Sequence, residues 1–177
     1  MTDGRAAGGG LRAAALVCLT LGPAIGVGAA LRAQAASDDW RAFSGSWSAT
    51  GVRQTLPAEG GRTATVAHLS GAIVLTGGGA GAGFAAEVIG FDDGDGASVG
   101  RAVWTDSRGD RIFSTLRGGP LQTGRRVSGT ITGGTGRWTG ATGDYALTWQ
   151  YVVSGEGDVV QGRAADLHGR VRLQEPR

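Results

Sequence analysis

A serine in the middle of the chain has the spacing of a hydrolase nucleophile. Gly96-Ala97-Ser98-Val99-Gly100 matches Gly-x-Ser-x-Gly, and His168 follows it in the chain order of an α/β-hydrolase. In that fold the serine stands on a turn that leads from a strand into a helix. Residues 101–104 instead continue as a strand, and 177 residues are too few for that fold. We therefore interpret the match as a coincidence in a glycine-rich sequence.

Two glycine-rich runs have the composition of phosphate-binding loops. The run TGGTGRWTGATGD, residues 132–144, holds five glycines, but a P-loop requires a lysine and the chain contains none. Residues 77–82, GGGAGA, fit a dinucleotide fingerprint, yet the following helix could span only residues 82–89. The next acidic residues also come too early for a ribose contact. The sequence therefore predicts no nucleotide cofactor.

Three aspartates resemble half of a calcium-binding loop. Asp92, Asp93 and Asp95 alternate with glycine, but the distal glutamate of such a loop is missing. His68 and His168 lie a hundred residues apart without ligand spacing. We interpret the aspartates as surface turn residues and predict no metal site.

Two residues of opposite charge fall in the middle of neighbouring predicted strands. If Glu87 and Arg101 both point inward, they form a buried pair that could contact the polar part of a ligand. If they point outward, they are ordinary surface charges. Glu87 alternates with apolar neighbours and Arg101 shares a face with valines, so strand parity leaves both readings open.

The elements that must position these residues are strands. After Ser37, short alternating runs are separated by glycine-rich turns, and no window keeps a helical period. The clearest run places Tyr145, Trp149 and Tyr151 on one face, which predicts a shared ligand-binding wall with Glu87 and Arg101. The predicted strands are residues 43–52, 64–76, 82–91, 97–105, 111–117, 126–132, 145–153 and 159–173.

Eight strands with short connections predict an all-β, antiparallel fold. Closing them into an up-and-down barrel leaves no exposed edge, and glycines inside several strands suit tight curvature. A two-sheet sandwich uses the same elements and stays open as the alternative.

The N-terminus predicts export. Arg5 and Arg12 precede an uncharged run, and Ala33-Gln34-Ala35 follows as a cleavage site, so we interpret residues 1–35 as a signal peptide and residues 36–177 as one barrel domain. A retained anchor is the alternative, since 19 uncharged residues could just cross a bilayer. The single cysteine, Cys18, would leave with the signal, which excludes a disulfide in the mature chain.

The charge balance argues against nucleic acid as a partner. All 17 basic residues are arginines, and three of them precede residue 36. In the predicted mature chain, the remaining arginines balance the acidic residues. Arg125-Arg126 is the single basic pair, without aromatic residues beside it. We expect a periplasmic or extracellular protein with no membrane contact after cleavage and no nucleic-acid partner.

The glycine-rich loop carries a family resemblance. Its residues 133–143 resemble the GGTGxFxGAxG signature of the allene oxide cyclase and dirigent barrel superfamily, with Trp138 at the aromatic position. The matching positions are Gly133, Gly134, Gly136, Trp138, Gly140 and Gly143. The resemblance implies a calycin-like eight-stranded barrel, commonly a trimer, that holds apolar substrates and steers a cyclisation or radical coupling. We expect the loop to be architectural, with its aromatic side chain folded back as a plug on the barrel end. None of the family's catalytic residues can be matched to this chain.

A second resemblance is Gly45-Ser46-Trp47, which looks like the Gly-x-Trp of lipocalin and avidin-type barrels, where the tryptophan packs across the barrel base.

Three functions remain. The leading one is a noncatalytic module that binds a small apolar molecule in its lumen. The alternatives are a cyclase or isomerase in which Glu87 or Asp106 moves a proton, and a structural role in the envelope.

Overall fold

The structure is a computed structural model that describes residues 40–77, 83–119, 123–154 and 158–173, the side chains of residues 153 and 154 excepted. The predicted signal peptide and its cleavage site lie outside these residues. Eight strands account for most of the described chain. Two of the connections between them contain a short 3₁₀ turn, Glu59–Gly61 and Gly136–Trp138. The strands are β1 (Arg41–Pro57), β2 (Thr63–Gly77), β3 (Gly83–Asp92), β4 (Ser98–Thr105), β5 (Arg111–Gly118), β6 (Arg125–Gly134), β7 (Thr142–Ser154) and β8 (Val159–Arg172). Within these ranges no helix has the length and apolarity needed to span a membrane.

The eight strands form a closed antiparallel barrel in up-and-down order. Each strand pairs with its neighbour in sequence, and β8 returns to pair with β1 along most of its length. The predicted barrel is therefore confirmed, and the β1–β8 pairing excludes the two-sheet alternative. β1 extends beyond its predicted end at residue 52, because residues 53–57 stay paired with β2 as far as Pro57 opposite Thr63.

The core fills the barrel interior because inward and outward residues alternate along every strand. In β1, for example, residues 43, 45, 47 and 49 are buried while the serines between them, at 44, 46 and 48, are more exposed. Aromatic side chains from β1, β3, β4 and β7 meet in one cluster with aliphatic residues of the remaining strands.

Up-and-down order places successive connections at opposite ends of the barrel. One end, which we call the plug end, carries the β4–β5 loop (residues 106–110) and the β6–β7 loop (residues 135–141). The other, which we call the mouth, carries the β1–β2 turn (residues 58–62) and the β3–β4 turn (residues 93–97). The glycine-rich signature thus lies at the plug end.

Candidate functional site

Trp138 closes the plug end. The 3₁₀ turn Gly136–Trp138 folds the indole back over the barrel, where it is buried and its ring centroid lies 5.7 Å from that of Phe84. Its Nε1–H donates to Oδ2 of Asp106 at 2.9 Å. The side chain therefore occupies the place expected for the aromatic residue of the signature.

Asp106 ties the two plug-end loops together. Its Oδ2 also accepts from Nε of Arg137 at 2.6 Å, and its Oδ1 accepts from the backbone N–H groups of Arg108 and Asp110 at 2.8 and 3.1 Å. Burial by itself would raise the pKa of Asp106, but these hydrogen bonds and that from Trp138 outweigh it and lower the pKa to about 2. The carboxylate thus stays ionised and has its lone pairs occupied, which suits a structural anchor.

Two glycines of the signature make this loop possible. Gly136 has φ +53°, and a Cβ there would collide with the carboxylate of Asp110. A Cβ at Gly134 would lie 2.6 Å from Cβ of Trp138. Gly133 and Gly140 also have positive φ, and Gly143 sits in β7 opposite Ile131 and Val171.

A cavity of about 60 Å³ lies in the barrel between its middle and the mouth. Its aromatic wall comes from β1, β4 and β7, and aliphatic side chains of β2, β3, β5 and β6 complete it. The aromatic members are Trp47, Trp104, Tyr145, Trp149 and Tyr151. The predicted face of Tyr145, Trp149 and Tyr151 therefore does point into the lumen; that these residues bind a ligand stays a prediction.

The aromatic residues pack as two groups. Trp47 and Trp149 have ring centroids 4.7 Å apart, and Tyr151 meets Trp149 edge-on at 5.7 Å. Trp104 and Tyr145 form the second group, also 4.7 Å apart. Such tilted and edge-on contacts are the preferred aromatic geometries and keep the wall rigid.

Tyr145 is hydrogen-bonded inside the barrel. Its hydroxyl lies 2.8 Å from Oγ of Ser114, and both residues are buried. Burial raises the pKa of Tyr145 to about 12, although its hydrogen bonds with Ser114 and Trp104 act in the opposite direction. The phenol is therefore neutral throughout the physiological pH range.

Arginines lie at the mouth. Arg125 begins β6 directly opposite Trp149 of β7, and since paired residues share a face of the sheet, its exposed side chain borders the cavity. The guanidinium of Arg53 lies over the ring of Tyr151, 5.2 Å from its centroid. The mouth thus combines cationic groups with an aromatic rim.

The predicted inward placement of Glu87 and Arg101 is wrong. Both side chains are exposed on the outer face of β3 and β4, because Ala86 and Ala102 beside them are the residues that point inward. The register pairs Glu87 with Val103 and Arg101 with Ile89, so the two charges are diagonal neighbours on the outside. They are surface charges and do not line the lumen.

The three aspartates of the β3–β4 turn serve the turn itself. Asp92, Asp93 and Asp95 each accept a hydrogen bond from the backbone N–H two residues further on, at 2.8 to 3.0 Å. One oxygen or more of each lies within 4.8 Å of the others. The resulting series of Asx turns explains why aspartate alternates with glycine here.

Sequence reasoning did not name Trp104, Ser114 or Arg125 as site residues. Trp104 and Ala102 share one face of β4. The sequence of that strand did not show whether this face points inward or outward. Arg125 could have been found only from the β6–β7 register, which places it beside Trp149. The resemblance had suggested a barrel-base position for Trp47, whereas the structure places it against Trp149 in the cavity wall.

No family model matches the chain, and no curated protein matches it in sequence. The structure is similar to that of the pterocarpan synthase dirigent protein, with a TM-score of 0.46 and 12% identity over 80% of this chain and 91% of that chain. A specific relation to allene oxide cyclases stays a prediction.

Proposed function

We propose that the protein binds a small apolar molecule in its lumen through the mouth, without transforming it. The observation that carries this proposal is the aromatic cavity, which reaches the mouth while Trp138 closes the opposite end. Concave apolar sites with a few polar groups at one side are the usual form of small-molecule sites.

The size of the cavity limits the ligand. Its volume of about 60 Å³ is at least four times the ~10–15 Å³ that, on the same measure, holds one water molecule. A five-membered ring or a short branched chain is the size of group that could enter, with any larger part of the ligand remaining at the rim. A lumen fully packed by side chains would instead have favoured a purely structural role.

The carboxylates argue against the cyclase or isomerase alternative. Among the described residues that line the cavity there is no aspartate or glutamate. Glu87 is exposed on the outer face, and Asp106 is held by four hydrogen bonds at the plug end. Tyr145 is neutral and too weakly acidic to exchange protons readily near pH 7. These placements support binding over acid–base chemistry.

We also infer that the protein is exported to the periplasm or beyond and acts there, as a monomer or a trimer. The charged start, uncharged run and cleavage site of residues 1–35 support export. The trimer rests on the resemblance of the glycine-rich loop. Native mass spectrometry of the protein recovered from its host measures the processed mass, the oligomer and any retained molecule together.

In the binding test, a neutral hydrocarbon, methylenecyclopentane, is titrated into the protein. Binding is followed by tryptophan fluorescence and by the NMR spectrum of ¹⁵N-labelled protein. Ala86→Leu should weaken binding at least tenfold, since Ala86 is buried and lines the cavity. Ala85→Leu is the matched control, because Ala85 is its exposed neighbour on the outer face and should leave binding unchanged. Equal loss of binding in the two variants would overturn the proposal, and so would the absence of saturable binding by the wild type of this hydrocarbon, of cyclopentanone and of cyclopentanecarboxylate.

A further inference from the structure

Four buried indoles near or in the lumen differ in their hydrogen bonding. Trp138 donates to Asp106, and Trp104 packs against Tyr145 and helps to lower the pKa of its hydroxyl. Trp47 and Trp149, which are 5% and 6% exposed, have Nε1–H groups without a hydrogen-bond partner in the described part of the chain. The two unpartnered donors thus belong to one ring pair in the cavity wall.

A buried N–H without an acceptor is unfavourable, and tryptophans in protein interiors usually find one. Trp138 shows that the sequence supplies an acceptor where a buried indole is structural. Around Trp47 and Trp149 the cavity wall is mostly aliphatic and aromatic. A molecule that occupies the cavity can supply the acceptor that the described residues do not.

We propose that the cavity selects apolar molecules carrying an oxygen acceptor, a carbonyl or a carboxylate, which accepts a hydrogen bond from the indole of Trp47, of Trp149 or of both. This inference rests on the proposed binding function and specifies its ligand class. Arg125 supports it, because this residue lines the same cavity opposite Trp149 and its guanidinium makes no hydrogen bond or ion pair with the described residues. A hydrocarbon leaves all three groups without a partner, whereas an oxygen acceptor engages at least one.

The test compares two ligands of nearly the same shape, cyclopentanone and methylenecyclopentane, which differ in C=O against C=CH₂. The chain has five tryptophans, so a ¹H–¹⁵N spectrum shows five indole N–H signals. Cyclopentanone should move the signal of Trp47 or Trp149 downfield and leave those of Trp104 and Trp138 in place. The hydrocarbon should produce no such downfield shift.

Variants connect the effect to these donors. Trp47→Phe and Trp149→Phe each keep an aromatic ring but remove an N–H, and in at least one of them the affinity for cyclopentanone relative to the hydrocarbon should fall about fivefold. Trp104→Phe is the matched control: it also removes an indole from the cavity wall, but one whose Nε1 is not among the buried unpartnered donors of the described residues, so this ratio should stay as in the wild type. The ratio cancels changes in cavity volume that affect both ligands.

Cyclopentanecarboxylate tests whether the site prefers a carbonyl or a carboxylate oxygen as the acceptor. If it binds more tightly than the ketone and loses that advantage in Arg125→Gln, the site takes a carboxylate; if the ketone binds more tightly, it takes a carbonyl. Either result supports the inference. Binding of all three ligands without a shift at Trp47 or Trp149, or with the same affinity ratio in Trp47→Phe, Trp149→Phe and wild type, would overturn it alone. Failure of all three to bind would overturn the proposed function itself.

Discussion

Gly129 lies beneath the ring of Tyr145, and substitution of this glycine tests how the barrel interior is built. The two residues are paired across β6 and β7, and a Cβ on Gly129 would collide with three ring atoms of Tyr145. The ring therefore rests directly on the glycine backbone. We expect Gly129→Ala to force the ring away and to destabilise the protein.

The magnitude follows from three contributions. Overpacking a buried site costs about 1–3 kcal/mol. Moving the ring also separates the Tyr145 hydroxyl from Ser114, and a buried hydroxyl without a partner costs about 1–3 kcal/mol. Replacing glycine restricts the unfolded chain and offsets about 0.4–1 kcal/mol of this. The net loss is about 3 kcal/mol, which corresponds to a fall in Tm of roughly 10 °C for a domain of this size.

Urea unfolding followed by tryptophan fluorescence measures this loss. Gly77→Ala is the matched control, because a Cβ on Gly77 would meet, among the described residues, only Oγ of Ser44 at an ordinary 3.6 Å. That variant should be neutral or slightly more stable than the wild type.

A double-mutant cycle then isolates the contact. In a Tyr145→Ala background the ring is absent, so adding Ala at position 129 should cost almost nothing. If Gly129→Ala were as stable as Gly77→Ala, or cost the same with and without the ring, the account of an aromatic ring packed on a glycine would be refuted.

Three further predictions concern the plug and the interior. Trp138→Ala should cost about 3–5 kcal/mol, because it removes a buried indole at the closed end, and Trp138→Phe should cost less; urea unfolding compares them. The folded-state pKa of Asp106 is lowered from 3.8 to about 2, so its stabilisation is present above about pH 4 and is lost as pH falls toward 2; Asp106→Asn should flatten this part of the stability profile. The pKa of Tyr145 is raised from 10.0 to about 12, so stability should fall between those values by up to about 1.4 kcal/mol per pH unit, and a Tyr145→Phe variant with the same slope would contradict this.

The strand pattern could be predicted from the sequence. Alternation between inward and outward residues is local, as in residues 145–153, and glycine-rich turns mark where each strand ends. The absence of helical periodicity and the shortness of the connections were enough to predict eight antiparallel strands in sequence order. Closure of the barrel depends on pairing between β1 and β8, more than a hundred residues apart, which sequence patterns alone do not report.

The charged residues were harder to place than the aromatic ones. A run that alternates several aromatic residues with small polar ones has only one reasonable inner face, so Tyr145, Trp149 and Tyr151 were predicted to share it. Glu87 and Arg101 sit in strands where apolar residues occupy both faces, because Ile89 and Phe91 are themselves exposed on the outside. Parity then carries no information, and the prediction that these charges point inward was wrong.

The sequence by itself determined what depends on neighbours along the chain: strand periodicity, turn chemistry and the conformational freedom of the glycine-rich loop. Tertiary structure alone decided which donors meet an acceptor. Trp138 donates to Asp106, which lies 32 positions away in the sequence. Trp47 and Trp149 contact each other in the closed barrel, and their indole N–H groups have no acceptor among the described residues. Those relations follow from register and closure, since a strand that shifts by one residue sends every side chain to the opposite face.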